Sequence, residues 1–341
     1  ATQIKYLRSV VAPPGNPEGL CDAGAALPIL ANQNLYAIAT DGVSAFKAST
    51  GALLWHATID SSETEQYGGL AVAGGLVLVA HQDGCETEDP VGAVTAFNAT
   101  TGAPVWNGGL DESVTSMVVS GTTVVTGGDD FPDGTQLQAL SLSTGASLWT
   151  RHFDTDCDEP VIVVDGLVVY NNCDTNKLTA AKLSTGAVVW SRAGLWTVER
   201  GDSDTTSAHH LYATPASGVV TDLNPATGAT RFTLAGATRT LAVDATQVYA
   251  ACSAGLCAYN RGTGAPTWSE STAGGWTVDT KNIAIGGAVL YGANGTVLNA
   301  STGAFLAVLS DQNSGTVVVG DGRLAYTNNE RIIDLFGLAG S

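Results

Sequence analysis

Seven Thr-Gly pairs punctuate this chain, and in six of them an aromatic follows four residues after the glycine. They are Thr50-Gly51…Trp55, Thr101-Gly102…Trp106, Thr144-Gly145…Trp149, Thr185-Gly186…Trp190, Thr227-Gly228…Phe232 and Thr263-Gly264…Trp268, with Thr302-Gly303…Ala307 as the seventh. Successive glycines are separated by 51, 43, 41, 42, 36 and 39 residues. A unit of roughly 40 residues cannot bury its apolar faces alone, so this period demands an array of stacked units.

Within each unit the sequence reads as four short β-rich runs. In the third they are Val118–Ser120, Thr123–Thr126, Leu137–Leu140 and Ser147–Thr150; in the fourth, Pro160–Val164, Leu167–Tyr170, Leu178–Leu183 and Ala187–Trp190. The first two runs barely alternate, as strands buried on both faces do. Short glycine turns such as Ser120-Gly121-Thr122 and Asp165-Gly166 separate them. Thr-Gly closes the hairpin from third to fourth strand, with glycine supplying the positive φ of a tight turn. Four antiparallel strands per period make a propeller blade. The aromatics, in fixed phase with the turn, are expected to pack each blade on its neighbour; a sugar-binding platform is the other reading of such a row of tryptophans.

The stretches Ala45-Phe46-Lys47-Ala48-Ser49-Thr50-Gly51-Ala52-Leu53-Leu54-Trp55 and Ala96-Phe97-Asn98-Ala99-Thr100-Thr101-Gly102-Ala103-Pro104-Val105-Trp106 resemble the tryptophan-docking motif of PQQ-like, quinoprotein alcohol dehydrogenase-like β-propellers, A-x-D-x-x-T-G-x-x-x-W. The resemblance extends over seven units. The motif's Asp is replaced by Lys47, Asn98, Ser141, Lys182, Asn224, Asn260 and Asn299, which is expected to weaken local hydrogen bonding without disturbing the blades.

After the seventh Thr-Gly the chain carries Phe305–Leu309, then three further strand-like runs, and stops short of another Thr-Gly. Gln3–Val10 is an unattached strand-like run at the other end. Joining the two removes both open edges, so the expectation is an all-β, eight-bladed β-propeller whose last blade is completed by the N-terminal strand. A seven-bladed ring with an extension is the competing count. The whole chain, 1–341, reads as one domain with blades at about 25–60, 68–110, 114–153, 160–194, 203–235, 240–271, 283–310 and 316–338 plus 3–10.

Links from fourth strand to next first strand, and from second to third, share one face of a propeller. All six cysteines fall in such links. Cys252 and Cys257 flank one hairpin, Cys157 and Cys173 lie on neighbouring strands, and Cys21 and Cys85 remain from adjacent blades. These three pairs suit disulfides and an oxidising, secreted or extracytoplasmic compartment. No Cys-x-x-Cys or Cys/His cluster supports a metal instead. The N-terminal Ala1-Thr2-Gln3, with no signal-peptide core or lipid-attachment cysteine, suits a processed chain.

Most of the acid collects on the same face. The formal net charge is −18, with only 14 Lys and Arg in 341 residues, which excludes the basic stripe that nucleic acid requires. No apolar run reaches the roughly 18 residues of a membrane span. Asp129, Asp130 and Asp133, with Asp202 and Asp204, offer oxygen ligands for calcium at loop spacing, although neither group completes an EF-hand loop. Trp196 with Glu199, and Trp276 with Asp279, lie outside the blade phase, in links expected to precede the first strands of their blades. An aromatic beside a carboxylate suits a carbohydrate or cationic ligand; packing beneath a long link is the structural alternative. His209 and His210, at the start of a second strand, read as structural.

The resemblance implies an enzyme alternative, a PQQ- and calcium-dependent dehydrogenase. Against it, no two cysteines are adjacent, whereas such enzymes commonly carry a vicinal disulfide over the quinone, and an acidic face repels the three carboxylates of PQQ. No Gly-x-Ser-x-Gly, P-loop or His-Glu-x-x-His motif is present. The favoured reading is a monomeric binding, scaffold or sensor module acting on a protein or glycan ligand of cationic character through its acidic loop face; a carbohydrate-binding propeller is the remaining alternative.

Overall fold

The computed structural model describes residues 5–11, 28–39, 41–59, 64–83, 91–110, 113–130, 134–155, 161–198, 210–216, 218–309, 315–327 and 332–338. Among these there is no helix, and so none long and apolar enough to cross a membrane. Eight antiparallel sheets of four strands each form the blades of an eight-bladed β-propeller. Blades 1 to 8 span 29–58, 64–109, 116–153, 162–193, 196–233, 237–270, 283–308 and 316–337, the last joined by Lys5–Val11. The N-terminal strand pairs with Ile332–Gly337 and supplies the fourth strand that the C-terminus lacks. There Ser9 donates to Asp334 at 2.5 Å and the Tyr6 ring meets Phe336 edge-on at 5.4 Å. The seven-bladed count is thereby excluded.

Two compact units are distinguished: 11–193, with blades 1 to 4, and 1–10 with 194–341, with blades 5 to 8. Inside each, the Thr-Gly step explains how blades attach. Gly145 has φ +70°, and a Cβ there would sit 2.5 Å from the Trp106 ring of the preceding blade. Trp106 Nε1 donates to the Leu142 carbonyl just before that turn, at 3.0 Å. Trp55, Trp149 and Trp268 repeat the arrangement on Gly102, Gly186 and Gly303, with indole bonds to the carbonyls of Ala99, Leu183 and Ala300. Phe232 covers Gly264 without an indole to donate. The glycine is therefore needed twice, for its backbone conformation and for the close approach of a ring. In these positions the aromatics hold blades together and form no platform.

Two expectations are corrected here. The motif's carboxylate was expected to leave a weaker turn behind, but asparagine keeps the bonds: Asn98 Oδ1 accepts from the amides of Thr100 and Thr101, Asn260 from Gly262 and Thr263, Asn299 from Ser301 and Thr302, and Asn224 from Ala226. An amide oxygen caps an Asx turn as a carboxylate oxygen does. In the seventh unit, where Ala307 replaces tryptophan, Phe305 packs against Gly274, in a small hairpin of Thr272–Ala273 and Trp276–Thr277 that precedes blade 7. The other correction concerns Trp196. It does not precede the first strand of blade 5 but lies in it, paired with Pro215, and is 7% exposed.

Cores form between successive blades of each unit. Tyr36, Val43, Trp55, Val77 and Phe97 fill the space between blades 1 and 2, and Val125, Leu137, Phe153, Val168 and Tyr170 that between blades 3 and 4. Tyr249, Leu256, Leu290 and Leu298 do the same between blades 6 and 7.

A candidate recess on the loop face of blades 3 and 4

Blades 3 and 4 part near the ends of their strands, on the side where second strands turn into third and fourth strands leave for the next blade. The recess there holds about 280 Å³ of empty space counted out to its mouth, and is lined by Thr115, Gly127, Thr135, Leu137, Phe153 and Tyr170 among others. Its existence follows from glycine. Gly127 faces Ser116 across the strands, and a Cβ on it would come within 3.1 Å of Ser116 Oγ and 3.5 Å of Val161. Gly128 admits the incoming link instead, since a Cβ there would strike the Ser113 carbonyl at 1.8 Å. Gly68 of blade 2 gives way to the Val114 carbonyl in the same manner, and Gln82 Oε1 accepts from the Val114 amide at 3.0 Å. The link into blade 3 is thus clamped, and Thr115 Oγ1 closes it on the Gly127 carbonyl at 3.1 Å.

The walls are largely apolar, and the polar residues among them are Thr115, Thr135, Gln136, Tyr170 and Asn171. Thr135 and Leu137 alternate onto the face toward blade 4, with Phe153 paired opposite Thr135. Gln136, between them in the strand, also lines the recess, is 3% exposed, and its Nε2 has no hydrogen-bond partner. Tyr170 lies 3% exposed with its ring 5.5 Å from that of Phe153, and its hydroxyl has no hydrogen-bond partner; neither has Ser116 Oγ, also 3% exposed. Burial pushes the Tyr170 hydroxyl above its usual range, and Arg151 opposes that only in part, so at neutral pH it carries its proton. The Arg151 guanidinium itself is bound to the Gly186 carbonyl.

Of the candidates read from sequence, those among the described residues do not line the recess. Asp129 and Asp130 end the second strand of blade 3, paired along the backbone with Thr135 and Gly134, beside the recess. Asp133, Glu199, Asp202, Asp204, Cys21, Cys85, Cys157 and His209 lie outside the described residues. Trp196 is buried in a sheet and offers no open ring face. Asp279 is committed to its own loop: one oxygen accepts from the amides of Lys281 and Asn282, the other from Asn294 at 3.2 Å. Trp276 stands in the small hairpin. Cys252 and Cys257 are bonded, with S–S 1.98 Å and Cα atoms 6.0 Å apart, and Cys173 is also in a disulfide. Among the described residues no three His, Cys, Asp or Glu side chains are grouped to hold a metal ion.

Two histidines sit in polar clusters. His56 Nδ1 meets Ser44 Oγ at 2.9 Å and its Nε2 meets Asp41 at 3.3 Å, a Ser-His-Asp chain in composition. Ser44 is 0% exposed, so its hydroxyl meets no substrate. His210 Nδ1 lies 2.9 Å from Asp222 Oδ2, consistent with a structural role. The recess residues were not singled out from sequence. Thr135, Leu137 and Tyr170 are ordinary strand residues there, and only Gly127-Gly128, two glycines inside a strand, signalled a close approach.

The matching family model is described as outer membrane protein assembly factor BamB, and it aligns over residues 39–193 and 133–334. No curated protein sequence matches the chain. Among solved structures, BamB from Moraxella catarrhalis superposes with a TM-score of 0.68 at 19% identity, covering 99% of each chain. The computationally designed Ika8 protein reaches 0.72 at 17% identity, over 98% of this chain and 99% of that one. A quinohemoprotein alcohol dehydrogenase from Pseudomonas putida HK5 gives 0.68 at 13% identity, over 99% of this chain and 76% of the other. At such identities these structures share the fold.

Proposed function

The chain belongs to the PQQ-like propeller family described by the assembly factor BamB, and from that premise we propose that it is an extracytoplasmic binding scaffold whose loop face holds a protein partner. The family match over 39–334 carries this reading: the relative's name describes a protein that works in assembling other proteins. Charge supports the choice of face and of partner. With a net charge of −18 and acidic residues concentrated in the second-to-third and fourth-to-first links, the face attracts a basic surface, raising its association rate at low salt. The Cys252–Cys257 bond and the disulfide at Cys173 support an oxidising compartment. The chain acts as a monomer that presents its links rather than its strand edges.

The test uses the purified chain as bait in extract from the compartment of the cell that makes it, followed by binding kinetics with the captured protein. Asp154 and Asp174 are exposed on loop-face links of blades 3 and 4. Asp154→Asn with Asp174→Asn is expected to slow association several-fold at low salt and to leave dissociation nearly unchanged. Unchanged association, or a partner that binds equally at 1 M salt, contradicts the reading.

A further inference from the structure

We propose that the outer strand of blade 1, Leu53–Thr58, is an open edge onto which an extended segment of the docked partner adds as a further strand. That segment is apolar where it lies against Leu54 and carries Lys or Arg where it reaches the loop face. This rests on the chain being a scaffold for a protein, and adds the form in which that protein is gripped.

The outer strand of each blade ends its sheet, and an edge strand pairs with other chains unless charge, proline or cover prevents it. Most of these edges are guarded. Arg151, Arg192, Arg231 and Lys5 put charge on those of blades 3, 4, 5 and 8. Pro104 and Pro266 stand at the head of those of blades 2 and 6. The edge of blade 7 is short, Phe305–Val308, with Phe305 laid on Gly274. Leu53–Thr58 has no Lys, Arg, Asp, Glu or Pro. It is the exception among edges that are otherwise closed to partners.

Its geometry suits pairing. The Ile59 amide donates to the Asp41 carbonyl at 2.9 Å, and Ala57 and Trp55 lie opposite Val43 and Ala45. By the alternation of an antiparallel ladder, the main-chain groups of Trp55 and Ala57 then point into the blade, and those of Leu54, His56 and Thr58 point outward. The strand is held firm, because Trp55, Ala57 and Ile59 are buried in the core shared with blade 2. Leu53 and Leu54 are 52% and 47% exposed. An incoming strand gains a ladder of main-chain bonds and covers Leu54 with a cross-strand neighbour. Charge selects the occupant. At the loop-face end the Asp41 carboxylate, 3.3 Å from His56 Nε2, is 38% exposed and favours a basic residue. A second copy brings a further −18 of net charge and no cation on this strand to meet Asp41, so it is the weaker occupant.

The probe is a capped peptide of alternating Val and Thr ending in a pair of Lys, titrated into the full chain and followed by amide hydrogen exchange. Exchange is expected to slow saturably at Leu54, His56 and Thr58, with Trp55 and Ala57 unchanged. Leu54→Lys supplies the missing guard and is expected to weaken the peptide about fivefold, through a lost apolar pair and a like-charge contact. Its Tm should not move, because Leu54 is exposed. The same peptide N-methylated throughout has no N–H to donate and is expected to protect nothing. Protection that appears equally on the outer strand of blade 4, survives N-methylation or ignores Leu54→Lys overturns the proposal. So does protection of the same amides that grows with protein concentration in the absence of peptide, which assigns the edge to a second copy. Failure of the peptide with association through Asp154 and Asp174 intact removes the edge alone; edge protection with no salt-dependent partner removes the loop-face reading instead.

Discussion

Asp222 pairs across the third and fourth strands of blade 5 with Phe232, at the register where Ala45, Ala96, Ala139, Ala180 and Ala258 pair with tryptophans in five other blades. A fully buried carboxylate has replaced the small apolar residue, and the ring opposite has lost its indole. The carboxylate is held by His210 Nδ1 at 2.9 Å and the Leu211 amide at 3.3 Å, with Arg231 at 3.8 Å. Blade 5 thus exchanges an apolar contact for a buried polar cluster whose members depend on one another.

That dependence sets the first expectation. Asp222→Ala leaves His210 and the buried Leu211 amide without their acceptor, and should cost about 2–4 kcal/mol in urea unfolding. Adding Phe232→Trp restores the pairing used elsewhere and should recover part of the loss, giving a measurable coupling in a double-mutant cycle. Strict additivity of the two changes would show that the pair is independent.

The Thr-Gly turn yields a comparison of two glycines. Gly145 and Gly121 both have positive φ, but a Cβ at Gly145 meets Trp106 at 2.5 Å whereas one at Gly121 meets nothing within 4 Å. Gly121→Ala should therefore cost only the conformational strain, about 1–2 kcal/mol. Gly145→Ala adds overpacking and should cost at least about 1 kcal/mol more. Equal shifts in denaturation midpoint would mean that the ring contact contributes nothing.

Stability should fall at both ends of the pH scale for identifiable reasons. Burial raises Tyr170, Tyr249, Tyr259, Tyr291 and Tyr326 above the usual phenol range, with Asp244 adding to the effect at Tyr249. Their contribution is complete below the unfolded value near 10 and declines above it, as the unfolded chain ionises first. At Asp244 burial works in the opposite sense, yet bonds from Tyr249, Thr246 and Gln247 prevail and lower its value. Its contribution is therefore present above about pH 4 and fades as the pH falls through the folded value. Unfolding free energies at pH 3, 7 and 11 check both limbs; Asp244→Asn should flatten the acid one.

Cys252 and Cys257 close a loop with a sequence separation of only 5. The chain-entropy estimate for so short a loop is about 2 kcal/mol. Replacing both with serine should lower stability by that order and leave the far-ultraviolet spectrum unchanged, since the hairpin also pairs Ala250 with Cys257 and Cys252 with Gly255 through its backbone.

The sequence carried the blade count because it rests on a covalent period: each Thr-Gly turn and its aromatic recur in phase, and Lys5–Val11 had no other strand to join. It misplaced Trp196 because the first strand of blade 5 is a two-residue strand, Trp196–Thr197, too short to show a β pattern. It undervalued Asn98, Asn260 and Asn299, whose amide oxygens cap their turns as an aspartate would. The recess was illegible for a different reason. Leu137 and Tyr170 are strand residues in separate blades, and the gap between them is a property of packing that no spacing encodes.

The most direct test of the scaffold reading compares the two faces of neighbouring blades 3 and 4. A photo-crosslinking residue is placed either at Asp174, in the second-to-third link of blade 4, or at Ser143, in the Thr-Gly turn of blade 3, and irradiated in the producing cell. A single defined adduct from position 174, reduced by high salt and absent from position 143, is the expected result. Equal adducts from both positions, or an adduct from position 143 alone, would contradict a partner held on the loop face.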